Sequence, residues 1–141
     1  IDAFFHNFPE VANFFNSIVS DALKDGYVST LLGRRRYLRE LSDTNYQKRE
    51  GAKRAAMNAP VQGTAADLIK LAMIKIHQAL EAGGYQTRMV LQIHDELIFR
   101  VPSEEKEQIF DLIKNIMENV LNLGIPLEVN GGFGLDWYSA K

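Results

Sequence analysis

Met89-Val90-Leu91-Gln92-Ile93-His94-Asp95-Glu96-Leu97-Ile98-Phe99 sets three ionisable residues inside otherwise continuous strand sequence. Apolar and β-branched residues on both sides suit a largely buried strand, yet no Gly or Pro marks His94, Asp95 and Glu96 as a surface loop. Two strands meeting in a tight turn reconcile these facts. Met89, Leu91 and Ile93 then face one way, Leu97, Phe99 and Val101 continue on the returning arm, and the acids occupy the tip. A carboxylate at the end of a stiff hairpin suits a hard divalent cation such as Mg²⁺, which takes anionic oxygens at positions set by the scaffold. Acids are equally ordinary in a solvated turn, and the local pattern leaves both readings open.

Size and composition narrow the field. A chain of 141 residues is about one domain long and can bury a real core. Its 46% hydrophobic and 24% charged residues are those of an ordinary soluble globular protein. No apolar run approaches the roughly 20 residues of a membrane span, and the start Ile1-Asp2-Ala3-Phe4-Phe5-His6 lacks the pattern of a secretory signal. An intracellular location is expected. Without cysteine there is no disulfide, thiolate zinc site or cysteine nucleophile. The net charge of -2 gives no global attraction to nucleic acid, so any such attraction must come from local clustering. Ile1 is not an initiator Met, and the expectation is that polypeptide precedes it.

Along the chain, Val11, Phe14, Phe15, Ile18, Val19 and Leu23 recur at helical spacing between Pro9-Glu10 and Gly26, so an amphipathic helix with a core-facing aromatic stripe is expected. Tyr27–Leu32 reads as a strand, with Arg35–Leu38 returning after Gly33 as a second arm. A basic run of Arg34, Arg35, Arg36, Arg39, Lys48, Arg49, Lys53 and Arg54 is diluted by Glu40, Asp43 and Glu50. It is either a solvated face or a strip that follows a phosphate backbone. Ser42-Asp43-Thr44 is the expected N-cap region of a helix through about Met57. Pro60 should break that helix, and a second should start near Val61 and end at Gly83-Gly84, with Val61, Ala65, Leu68, Ile69, Ala72, Met73, Ile76 and Leu80 on one face. Gly63 there costs on the order of 1 kcal/mol relative to Ala, which either the close approach of something large to its backbone or a simple packing reason would explain. Ser103 is the expected cap of a last helix, whose apolar face runs from Ile109 to Leu121. Leu127–Asn130 alternates as a further short strand. His6 and His77 belong to no motif and read as structural. Helices followed by strand-turn-strand, helix and strand favour an α+β fold, an antiparallel sheet packed on helices.

Three segments taken together resemble the family A DNA polymerases, of the bacterial polymerase I type. They are Gly26-Tyr27-Val28-Ser29-Thr30-Leu31-Leu32-Gly33-Arg34-Arg35-Arg36-Tyr37, Arg54-Ala55-Ala56-Met57-Asn58-Ala59-Pro60-Val61-Gln62-Gly63-Thr64-Ala65-Ala66-Asp67, and Gln92-Ile93-His94-Asp95-Glu96-Leu97. His-Asp-Glu alone is weak evidence, whereas all three segments in this order, followed by a Trp137-containing end, are specific and cover essentially the whole chain. The resemblance implies a partial right-hand fold, with residues 1–53 the last part of the fingers and 54–141 the C-terminal half of the palm. It implies template-dependent 5′ to 3′ nucleotidyl transfer in DNA replication and repair, by a two-metal mechanism with two Mg²⁺ ions and with template-primer DNA and dNTP as partners. Asp95 is then the metal-binding carboxylate and Glu96 its assistant, both counted as catalytic, and His94 lies against the primer terminus. Arg54, Asn58 and Gln62 correspond to minor-groove readers. Lys48, Arg49 and Lys53 are candidates for the DNA backbone. A cytoplasmic, nucleoid-associated location follows if the source is bacterial. The motif that supplies the other catalytic aspartate and the fingers helix that holds the triphosphate should lie upstream, so the chain alone is expected to be inactive. Arg39 and Arg100 depart from the family pattern outside these motifs. Two other classes stay open: a non-catalytic nucleic-acid-binding module and a metal-dependent nuclease using Asp95 and Glu96.

Overall fold

The computed structural model describes residues 2–140. Helices α1 (Asp2–Asn7) and α2 (Pro9–Asp25) lead into a hairpin of β1 (Tyr27–Ser29) and β2 (Arg35–Tyr37). A 3-10 turn (Arg39–Ser42) precedes the long helix α3 (Tyr46–Ala82). A second hairpin, β3 (Arg88–Ile93) and β4 (Glu96–Arg100), is followed by a 3-10 turn (Ser103–Glu105) and α4 (Lys106–Glu118). Both sheets are two-stranded and antiparallel. No described helix is long and apolar enough to cross a membrane. Ile1–Asp67 and Leu68–Lys141 form two compact units, each with its own core.

In the first unit, α2 stops at Gly26, whose φ of 78° lets its N–H reach the carbonyl of Ala22. Ala22, Val28, Leu38, Leu41, Ala52 and Ala56 are buried together, with Ile18 and Val19 against them. The aromatic stripe of α2 is only partly in this core. Phe14 and Leu23 are about half exposed, and the phenylalanines stack on one another instead, Phe4 on Phe8 at 5.1 Å and Phe14 on Phe15 at 5.8 Å. The cap of α3 is Asn45, beyond the expected Ser42–Thr44, its carboxamide oxygen accepting from the N–H of Gln47 and Lys48. Asp43 instead accepts from Asn45 N–H at 2.8 Å, an Asx turn feeding the cap.

The expected break at Pro60 does not occur, and α3 runs through it. An interior proline forfeits one backbone hydrogen bond and crowds the carbonyl four residues back, at a cost of about 3 kcal/mol. Three features offset that. Ala52 and Ala56 are buried, the Thr64 hydroxyl donates to the Pro60 carbonyl at 2.6 Å, and the loop of the first hairpin is latched across the helix. In that latch Thr30 Oγ1 donates to Asp67 Oδ2 at 2.6 Å, Arg34 Nε donates to Asp67 Oδ1 at 2.8 Å, and Arg34 Nη2 donates to the Gly63 carbonyl at 2.9 Å. Leu31 N–H donates to Thr64 Oγ1. Gly63 is what permits so close an approach, since a Cβ there would meet Thr30 Cγ2 at 2.6 Å. Beyond the proline the buried ridge is Ala72, Ile76 and Leu80, whereas Val61 and Ala65 at the start of the expected face are exposed.

In the second unit that ridge meets Ile109 and Val120, with Met89, Leu97, Phe99 and Val101 of the hairpin packed around them. Ser103 does not cap the last helix: it opens a 3-10 turn that has Pro102 at its own capping position, and the residue before α4 is Glu105. The side chain that matters there is Glu105. Its carboxylate accepts from Thr87 Oγ1 at 2.7 Å and from the N–H groups of Gln86 and Thr87, tying the root of β3 to the start of α4. The Thr87 hydroxyl first, then Gln86 N–H, hold the Glu105 carboxyl below its ordinary value of 4.5. The further strand expected at 127–130 is not formed. No described strand pairs with it, and a strand is stable only as part of a ladder; Val129 N–H donates to Glu118 Oε1 instead, while Leu127 packs on the core.

Gly63→Ala gains about 1 kcal/mol of helix propensity but forces a methyl onto a threonine pinned by its own hydrogen bond. Overpacking of this kind costs about 1–3 kcal/mol, so urea melts should show net destabilisation. Because Glu105 has a lowered folded-state pKa, its contribution is present above its unfolded value and is lost as pH falls below that through the folded one. Thermal melts between pH 5 and pH 3, taken here as about the carboxylate range, should therefore fall less steeply for Glu105→Gln than for the parent.

Candidate active site at the hairpin turn

Strands β3 and β4 pair Ile93 with Glu96, Gln92 with Leu97, Leu91 with Ile98 and Met89 with Phe99. The turn between them is two residues, His94 and Asp95. The register slips by one between Met89 and Leu91, leaving Val90 as a bulge. Opposed residues share a face, so Met89, Gln92, Leu97 and Phe99 lie on the core side, and Leu91, Ile93, Ile98 and Glu96 on the other. This corrects the simple alternation: Leu91 and Ile93 do not share the face of Met89, and Leu91 is half exposed.

His94 has φ of 52°, the single described non-glycine residue in the left-handed region. Two-residue hairpin loops demand positive φ at the first position because only that twist matches the strands, and a side chain there costs about 1–2 kcal/mol. The Gln92 side-chain amide braces the bend by donating to the His94 carbonyl. His94, Asp95 and Glu96 are all exposed. Glu96 Oε2 accepts from Trp137 Nε1 at 3.3 Å. The two acids offer hard anionic oxygens, which suits a divalent cation, but no group of three or more potential metal ligands exists among the described residues. They fit part of an octahedral shell, with the rest to come from elsewhere.

The sequence candidates on α3 divide. Arg54, Asn58 and Gln62 are all exposed, and on a helix uninterrupted at Pro60 their four-residue spacing places them on one stripe. A break would have separated Gln62 from the other two. Lys48, Arg49 and Lys53 are engaged within the chain. Lys48 pairs with Asp43 at 3.4 Å and Lys53 with Glu50 at 2.7 Å. Arg49 donates to the carbonyls of Asp43 and Thr44 and lies 5.8 Å from the Tyr46 ring centroid. The lysine contacts hold the Asp43 and Glu50 carboxyls low, after Asn45 N–H for Asp43. His77 sits 3.4 Å from Glu81 and His6 is exposed, both outside these groups. Sequence reasoning passed over the Thr30–Arg34–Asp67 latch and the Trp137 contact. The glycine at position 63 inside a helix was the one signal for the first; nothing local signals the second.

The model of DNA polymerase family A matches residues 1–139. The chain belongs to DNA polymerase family A. It is 48% identical over 140 residues to DNA polymerase I of Mycobacterium tuberculosis, covering 99% of this chain and 16% of that protein. To DNA polymerase I of Streptococcus pneumoniae it is 44% identical over 141 residues, again 16% of the relative's length. The structure of the POL domain of Pol1 from M. smegmatis, in complex with DNA primer-template and dNTP, superposes with a TM-score of 0.94 at 48% identity, covering 96% of this chain and 24% of that one. This family A chain thus spans about a sixth of the curated relatives it matches, and its mixed helices and small antiparallel sheets are those of a partial polymerase domain.

His94→Gly should relieve the left-handed strain and raise the unfolding free energy by about 0.5–1 kcal/mol, read as a higher urea midpoint at unchanged slope. A lower midpoint would show that the imidazole holds the turn by contacts that outweigh its backbone cost.

Proposed function

We propose that this chain is part of a template-dependent DNA polymerase and contributes one wall of its active site. What carries the proposal is the exposed Asp95–Glu96 pair on the hairpin turn of a family A chain. Residues 1–53 are assigned to the fingers and 54–141 to the palm. The reaction joins a primer 3′-hydroxyl to the α-phosphorus of a dNTP and expels pyrophosphate. Asp95 and Glu96 would be among the ligands of two Mg²⁺ ions, which when bound lower the pKa of the attacking hydroxyl and neutralise the leaving oxygens.

The chain's own residues do the rest by position. The two-residue turn and the Glu105 clamp at the far end of β3 fix the backbone that carries Asp95, so the point from which its carboxylate reaches a cation is set in advance. His94 would lie against the primer terminus. The stripe of Arg54, Asn58 and Gln62 presents donors suited to purine N3 and pyrimidine O2, the acceptors every correct pair offers in the minor groove, and so tests pair geometry without reading sequence. Lys48, Arg49 and Lys53 would add sequence-independent contact with phosphate, the two lysines by exchanging their carboxylate partners. Besides water and phosphate oxygens, two Mg²⁺ ions would call for a further carboxylate, which the family resemblance puts upstream, so the chain alone would be inactive. The setting would be the cytoplasm, at the nucleoid, if the source is bacterial, and otherwise intracellular.

In the complete polymerase carrying this chain, Asp95→Ala should lower single-turnover primer extension by about 10³-fold or more, with primer-template affinity changed by no more than about twofold. Extension by the isolated 141-residue chain with Mg²⁺, primer-template and dNTPs would contradict the assignment of only one wall.

A further inference from the structure

The C-terminal segment is built to deliver one side chain to the hairpin turn. Phe133 anchors it, its ring 5.9 Å from Phe110 of α4 and 5.6 Å from the Lys106 ammonium. Beyond that anchor the chain folds back on itself. Asp136 Oδ1 accepts from both the N–H and the hydroxyl of Ser139 at 2.8 Å, and Ala140 N–H donates to the Asp136 carbonyl at 3.2 Å. A Cβ at Gly134 would overlap Ser139 Oγ and Ala140 N, so this return admits only glycine. The Ser139 N–H, then its hydroxyl, keep the Asp136 carboxyl below its ordinary range. Out of this locked turn comes Trp137, whose Nε1 donates to Glu96 Oε2 at 3.3 Å.

The indole belongs to neither apolar cluster and is 43% exposed. Its polar edge is turned to the hairpin, where Nε1 meets Glu96. An exposed glutamate has three rotatable bonds and no fixed direction. A donor on a rigid ring, engaging the Oε2 atom, restricts that freedom and biases the direction of the carboxylate. We infer that Trp137 is a positioning residue for Glu96, orienting its carboxylate beside Asp95. The inference rests on the metal reading of Asp95 and Glu96 given above.

The test uses the complete polymerase carrying this chain. Trp137→Phe keeps the ring and removes the donor. The Mg²⁺ concentration for half-maximal extension should rise about tenfold, as for loss of a group that orients a ligand, with primer-template affinity held within about twofold. In a Glu96→Ala background the same change should add less than about twofold, since a residue acting through Glu96 has nothing left to orient. Independently of activity, ¹⁵N-labelled indoles report the contact. The Trp137 N–H cross-peak, assigned by its loss in Trp137→Phe, should shift and exchange faster with solvent in Glu96→Ala. A cross-peak indifferent to Glu96→Ala, or effects of Trp137→Phe and Glu96→Ala that multiply, would overturn the inference alone. Extension that survives Asp95→Ala would take down the metal reading and this inference together.

Discussion

The site depends on a conformational constraint at one residue. Closing β3 onto β4 with only two residues requires left-handed backbone at the first, and the chain places histidine there, not glycine. The tension is held by what surrounds it: the Gln92 amide on the His94 carbonyl, the strand pairs behind the turn, and Glu105 tying the root of β3 to α4. A longer, unstrained loop would leave Asp95 and Glu96 free to wander. Strain held by an over-determined scaffold is the usual condition of a functional turn.

Much of this was legible in the residues. The ionisable triplet inside strand sequence marked a hairpin, and the structure closes it at those positions. Gly26 stopped α2, and the two arms flanking Gly33 paired, though the first ends at Ser29 and not at Leu32, and the second at Tyr37 and not at Leu38. What could not be read were features set by partners distant in sequence. The bulge at Val90 depends on how two strands settle against Ile109 and Ile76, and it turned Leu91 and Ile93 away from the face assigned to them. Pro60 is a helix breaker locally, and part of what holds it inside α3, the latch from Thr30 and Arg34, comes from about thirty residues away. Asn45 took the cap expected nearby at Ser42–Thr44, a boundary shift that propensity cannot resolve because all are capping residues. Leu127–Asn130 alternates like a strand but lacks a described neighbour to pair with.

Continuity through Pro60 also has a chemical consequence. Arg54, Asn58 and Gln62 keep one stripe because Gly63 accepts the hairpin and the helix does not restart in a new phase. The candidate basic residues a turn or so earlier are a different matter. Arg49 donates to carbonyls just before α3, Lys48 neutralises Asp43 ahead of the helix, and Lys53 neutralises Glu50 near its start. Any contact of these residues with phosphate would have to come at the expense of these pairs, of which the two lysine pairs, being partly exposed, are weak enough to exchange.

The central claim is that the Asp95 carboxylate holds a catalytic cation. Anomalous diffraction from Mn²⁺, in crystals of the complete polymerase with primer-template DNA and a non-hydrolysable dNTP analogue, tests it most directly. A metal peak is expected within about 2.1 Å of an Asp95 oxygen, the spacing of a small hard cation on carboxylate. Metal peaks ligated wholly by other side chains and phosphates, with the Asp95 oxygens facing only water, would contradict it.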